Sequence, residues 1–169
     1  SLALGGCGVN LEEMTALYSS FANGGMYHKP LYLIDNQQDT LKSERKILSQ
    51  EASYMLSEIL LKVERPDLPS DYQNSKNVPK IAWKTGTSYG RRDAWSIGFN
   101  KKYTIAVWLG NFSGQGVKEL TGAGMATPLL FKLFNSIDYN SDNKWIEKPH
   151  KIQERLVCSE SGQVPSKFC

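Results

Sequence analysis

The sequence predicts an α+β domain, an antiparallel sheet with helices packed on it. Three observations point there. Apolar residues recur at helical spacing near the start and again around residue 55, alternation takes over in three successive segments from Ile81, and a last helical stretch follows a Gly-rich loop. The 169 residues, 40% hydrophobic, are enough for one core, and no break in composition marks two independent domains.

The first helix is expected to begin at Asn10, a capping residue with Glu13 three positions on. Leu11, Met14, Leu17, Tyr18 and Phe21 share one face, and "NGG" at 23–25 stops it. "MYHKPLYLID" then reads as a strand pairing with the segment around "RKIL" across the polar turn at 36–44. Ser49 caps a second helix whose expected buried stripe is Ala52, Met55, Leu56, Ile59 and Leu60. Residues 62–80, with three prolines, read as a long surface loop. "IAWKTGT", "AWSIGF" and "YTIAVWLG" are three antiparallel neighbours, the last two joined by the short turn "NKK" at 100–102. A Gly-rich loop, 113–124, leads to a closing helix with Thr127 as cap, Pro128 in its first turn, and Leu129, Leu130, Leu133 and Phe134 apolar.

Composition narrows the function. The longest apolar run, Tyr103 to Leu109, falls far short of the roughly 18 residues a membrane helix needs, and the chain opens without a basic-then-apolar segment, so a soluble chain with no membrane segment and no targeting address is expected. Twenty Lys and Arg are scattered among 17 acidic residues for a net charge of +3, a pattern without the basic stripe of a nucleic-acid binder. Cys7 stands alone, while Cys158 and Cys169 bracket "CSESGQVPSKFC" and can close a small loop in an oxidising compartment, two unpaired thiols being the alternative. Neither these cysteines nor His28 and His150 have metal-ligand spacing, so no metal or cofactor is expected.

Lys84-Thr85-Gly86-Thr87 carries the chemistry. By alternation Ile81, Trp83, Thr85 and Thr87 point one way, and Ala82, Lys84 and Gly86 the other. Lys84 brings a fixed positive charge to the sheet edge, the threonine hydroxyls offer donors to an anion lying alongside, and Gly86 leaves the backbone open to a ligand. An extended peptide fits such an edge, with the Thr87 N–H aimed at a developing oxyanion. An ordinary strand ending in polar residues has the same pattern.

The surroundings of that motif are more specific. "KTGTSYGRRDAWSIGFNKKYTIAVWLGN", residues 84–111, resembles the end of the transpeptidase domain of bifunctional class A penicillin-binding proteins. The opening "LALGGCGVNLEEMTALYSSFANGG" is similar to the helix-bearing segment before that motif, "LTGAGMATPLLFKLF" to the closing helix, and the tail "VCSESGQVPSKFC" to the cysteine-bounded junction of the 1C branch of the family. The likeness runs in order along nearly the whole chain.

That resemblance implies a partial serine transpeptidase domain over residues 1–137, of the fold shared with β-lactamases, with 138–169 as tail or linker toward a further region. It implies an enzyme that crosslinks peptidoglycan through an acyl-serine formed from a D-Ala-D-Ala stem peptide, and that binds β-lactams. The parent would sit at the periplasmic face of a bacterial inner membrane, fused to a glycosyltransferase. Lys84 and Thr87 would be catalytic, Thr85, Gly86 and Thr87 substrate-binding, and Tyr89 and Arg92 would border the cleft, with Arg91, Arg92 and Asp93 equally readable as a structural Arg–Asp pairing.

Two further motifs of that family, Ser-x-x-Lys with the nucleophile and Ser-x-Asn, should precede Lys-Thr-Gly. "SERK" at 43–46 does not open an apolar helix, "SKN" at 75–77 sits in the polar loop, and "SDN" at 141–143 follows the motif instead of preceding it. The chain is therefore expected to be the C-terminal portion of the domain, without the nucleophile and without activity alone. A serine β-lactamase needs the same absent motifs, and a non-catalytic module that keeps a peptide-binding strand edge is the other class.

Overall fold

The computed structural model describes residues 2, 5–32, 44–69, 78–139 and 144–165. Helix α1, Leu11–Ala22, opens with the expected capping box: the Asn10 side chain accepts from the Glu13 N–H, and the Glu13 carboxylate accepts from the Asn10 N–H. Gly25, at φ 86°, then turns the chain tightly against Leu48. Strand β1 is only Met26–Tyr27, paired with β2, Arg45–Lys46, in the expected antiparallel sense. The expected strands are longer than the pairing found: residues 28–32 and 47–48 are described and lie outside the ladder, Pro30 having no N–H to donate to one, while 33–43 lie outside the described residues.

Helix α2, Gln50–Leu61, is capped by Ser49 as expected, but it turns a different face inward. Ser53 and Ser57, four residues apart, are fully buried, while Met55 and Ile59 are 51% and 64% exposed. The physical reason is closeness of approach. The Ser53 hydroxyl donates to the Phe21 carbonyl at the end of α1 and Ser57 donates to Ser53 O, a separation that small side chains permit and leucine or isoleucine would not. The same holds on α1, where Ala16 and Ser20 are buried and Leu11 is exposed.

Three strands, β3 (Ala82–Thr87), β4 (Asp93–Phe99) and β5 (Thr104–Gly110), form one antiparallel sheet in the order β3-β4-β5. Ala82 pairs with Phe99 and Thr87 with Ala94 across β3 and β4; Asp93 pairs with Gly110 and Phe99 with Thr104 across β4 and β5. Asn100 shapes the second hairpin: its side-chain oxygen accepts from Lys102 N and Tyr103 N, and its amide donates to buried Asp138 at 2.6 Å. A five-residue π turn, Gly122–Ala126, leads directly into α3, Thr127–Asp138. Thr127 is thus not the cap expected from the sequence: it lies inside the continuous helix, and Thr121 caps the turn by accepting from Gly124 N.

Helices cover both sheet faces. Phe99 meets Tyr18 and Phe21 of α1 on one side, and on the other Ile81, Trp83, Ala94 and Val107 pack with Leu130, Phe131 and Phe134 of α3. On α3 the buried residues Thr127, Leu130, Phe131, Phe134 and Asp138 follow helical spacing, with Leu129 and Leu133 turned outward. The loop after α2 is anchored where described: Arg65, 3% exposed, forms a two-bond pair with Asp67, donates to Pro79 O and Asn135, and stacks 4.3 Å over Phe131.

After α3 the chain returns to α2. Trp145 donates its indole N–H to Glu58 at 2.6 Å, Pro149 is buried, and Ile146 and Pro149 line a cavity of about 550 Å³ with Phe21, Gln50 and Tyr54. The Lys148 ammonium, 2.6 Å away, holds the Glu154 carboxyl below its ordinary pKa. Cys158 is disulfide-bonded and Cys7 is free; Cys169 lies outside the described residues.

Two outcomes are expected. In chemical denaturation of the chain, Ile59→Ser should change stability by less than about 0.5 kcal/mol, whereas Ser57→Leu should cost about 1–3 kcal/mol by overpacking. Alkylation followed by mass measurement should add one label without reduction, on Cys7, and three labels after reduction if Cys158 pairs with Cys169.

Candidate active site

The Lys-Thr-Gly-Thr residues fill the second half of β3, where the burial of Ala82 and Trp83 gives way to exposure at Lys84 and Thr87. Among the described residues β3 has a neighbour on one side only, so part of its backbone N–H and C=O groups are left outside that ladder, as a peptide-binding edge requires. The Lys84 ammonium, exposed, folds back to donate to the Thr85 carbonyl at 2.7 Å. Both Thr85 and Gly86 are half-buried, and Thr85 lies opposite Ser96 on β4.

The Thr87 hydroxyl is engaged in a way the sequence did not reveal: it accepts from Gly122 N at 2.9 Å. That contact brings the π turn onto the strand. A side chain at residue 122 would lie 2.5 Å from both Gly86 O and Trp95 O, so only glycine fits. Below it the Thr127 hydroxyl donates to Gly122 O at 2.9 Å and lies 3.1 Å from the Ser96 hydroxyl, all with Ser96 and Thr127 fully buried.

The β3–β4 turn is shaped by Ser88, another residue the sequence reading passed over. Its N–H donates to Asp93 O, and its hydroxyl oxygen accepts from Arg92 N and Asp93 N. Arg91 sits in the left-handed region at φ 52°, held by Val117 N donating to its carbonyl and by its guanidinium donating to Lys118 O. The Asp93 carboxylate accepts instead from the Trp108 indole N–H at 3.0 Å, so no Arg–Asp pair joins this loop among the described residues. Tyr89 and, on the neighbouring loop, Phe112 are wholly exposed at this end of the sheet; the exposed Arg92 guanidinium has no partner among the described residues.

The other expected features divide simply. Ser43 and both Ser-x-Asn matches lie outside the described residues. Among the described residues no group of His, Cys, Asp and Glu is arranged to hold a metal, and no helix is long and apolar enough to cross a membrane.

With this geometry in view, comparison with known proteins is informative. Residues 1–126 match the family described as the penicillin binding protein transpeptidase domain. The chain is 37% identical over 164 residues to penicillin-binding protein 1C of Escherichia coli K12, covering 96% of the chain and 20% of that protein. It is 32% identical over 183 residues to penicillin-binding protein 1A of Clostridium tetani, covering 100% of the chain and 23% of that protein. It thus spans about a fifth of the length of these relatives. The fold superposes on the crystal structure of penicillin-binding protein 1A from Haemophilus influenzae with a TM-score of 0.66 at 17% identity, over 93% of this chain and 30% of that one. On the PonA1 protein of Mycobacterium tuberculosis in complex with penicillin V the TM-score is 0.58 at 17% identity, over 85% and 42%. An edge strand bearing Lys84 to Thr87, a sheet covered by helices on both faces, and a family match across three quarters of its length lead to one conclusion: the chain belongs to the penicillin-binding protein transpeptidase family.

Proposed function

We propose that residues 1–137 are the C-terminal portion of a serine D,D-transpeptidase domain that crosslinks peptidoglycan stem peptides and binds β-lactams, with 138–169 leading away from it. In the parent, at the periplasmic face of a bacterial inner membrane, a preceding segment supplies the nucleophilic serine and its lysine base, a further segment the anchor, and a fused domain the glycosyltransferase. The observation that carries this reading is Lys84-Thr85-Gly86-Thr87 laid along an exposed edge strand in a chain of this family.

The steps assign work to each group. The serine oxygen attacks the carbonyl carbon between the two D-alanines of the donor peptide, the terminal D-alanine leaves with a proton on its nitrogen, and an acyl-serine remains. An amine of a neighbouring stem peptide then attacks the ester carbonyl and releases the serine. Lys84 supplies positive charge at the edge where the donor's terminal carboxylate lies, and the Thr85 and Thr87 hydroxyls donate to it. The Thr87 N–H is one of two donors to the oxyanion. Tyr89 and Arg92 border the cleft, where a guanidinium without a partner among the described residues suits the carboxylates of a stem peptide. A β-lactam enters as a mimic of the donor, its carboxylate in the same place. No cofactor takes part.

Lys84 is exposed, so its loss should separate catalysis from folding. In the parent, Lys84→Ala should slow acylation by a labelled penicillin at least about tenfold while the thermal midpoint stays within about 2 °C. An unchanged acylation rate would remove Lys84 from the site. The 169-residue chain alone should give no denaturation-resistant band with the same penicillin. A band that disappears in Ser43→Ala would instead make "SERK" the nucleophile motif.

A further inference from the structure

The π turn between the Gly-rich loop and α3 makes more contact with the candidate site than its sequence position suggests. Its first residue, Gly122, touches the Lys-Thr-Gly-Thr strand twice: its N–H donates to Thr87 Oγ1 at 2.9 Å, and its Cα lies so close to the β3–β4 backbone that a Cβ would come within 2.5 Å of Gly86 O. Its carbonyl receives both the N–H and the hydroxyl of Thr127, five residues on. Because the Thr127 proton goes to Gly122 O, the 3.1 Å contact between the two buried hydroxyls has one direction left, with Ser96 donating to Thr127. The bonds therefore run one way, from Ser96 to Thr127 to Gly122 to Thr87.

We infer that this turn is a positioning element of the site, in which Ser96, Thr127 and Gly122 act through Thr87 to aim its hydroxyl at the substrate carboxylate. The inference rests on the reading of Lys84 to Thr87 proposed above. Once Gly122 N–H occupies one lone pair of Thr87 Oγ1, the hydroxyl rotor is fixed on the side facing α3, and its own proton is left for a partner on the open side of β3. Among the described residues nothing else accepts that proton. Accepting the Gly122 N–H also polarises the Thr87 O–H, which strengthens its donation to an anion. Burying two hydroxyls at zero exposure carries a desolvation cost that valine and alanine of similar shape would avoid, and the retained polar chain ends at Thr87, one of the two threonines assigned to the carboxylate. Single π turns are frequent at functional sites.

The test is a double-mutant cycle in the parent, read as the second-order rate of acylation by a labelled penicillin, with the thermal midpoint of each variant measured alongside. Thr127→Val, which keeps the shape and removes the hydroxyl, is expected to slow acylation about tenfold. Thr127→Ser restores the rate relative to Thr127→Val. In a Thr87→Val background the Thr127→Val substitution should have no further effect, because the group it aims is already gone. An equal slowing by Thr127→Val in both backgrounds would make the turn merely structural and overturn the inference; so would no slowing at all. If Thr87→Val itself leaves acylation unchanged, the reading of Thr87 falls and this inference with it, an outcome distinct from equal slowing in both backgrounds. Ser96→Ala, at the far end of the chain of bonds, carries the same comparison if Thr127→Val does not fold.

Discussion

The seat of Gly122 on the backbone of Gly86 and Trp95 is the contact on which the rest of this structure depends. It brings the entry of α3 to within bonding distance of the strand that carries Lys84 to Thr87, and the helix then crosses the sheet with Leu130, Phe131 and Phe134 over Ile81, Trp83, Ala94 and Val107. A side chain at residue 122 would lift the turn away, and with it both the buried hydroxyl pair and the start of the core. Packing and chemistry therefore share one constraint. The core on this face fixes where α3 begins, and where α3 begins fixes which N–H the Thr87 hydroxyl accepts.

Backbone periodicity made much of the fold legible. Three runs of alternation gave the three strands and their order, and Asn10 and Ser49 marked two helix starts because a side-chain oxygen before an apolar run has few other uses. Which helix face would be buried was less legible. Hydropathy ranks Met55 and Ile59 above Ser53 and Ser57, yet α2 lies so close to the end of α1 that small hydroxyl residues occupy the contact. That choice reflects distance between helices, which one helix's sequence does not encode.

At the site, the motif itself was readable but its wiring was not. Lys84 to Thr87 stand out as text, whereas Gly122 is one of 14 glycines and Thr127 reads as a helix cap, the commonest use of a threonine before proline. The π turn adds a residue between Thr121 and the helix, and that addition is what turns Thr127 inward toward Ser96 and Gly122. Ser88 escaped notice for a similar reason. Its three bonds across the β3–β4 turn depend on Asp93 folding back five residues later, a local geometry that composition does not reveal.

The return of the chain to α2 after α3 has a mechanical consequence. Trp145 on Glu58 and the buried Pro149 form a strain relief, much as a cable is clamped a short way before its connector. A pull on residues 150–165 loads α2 and the Ser53 contact with α1 first, on the sheet face opposite α3. The segment after α3 thus has an anchor of its own on α2, apart from the bond that holds the π turn to Thr87.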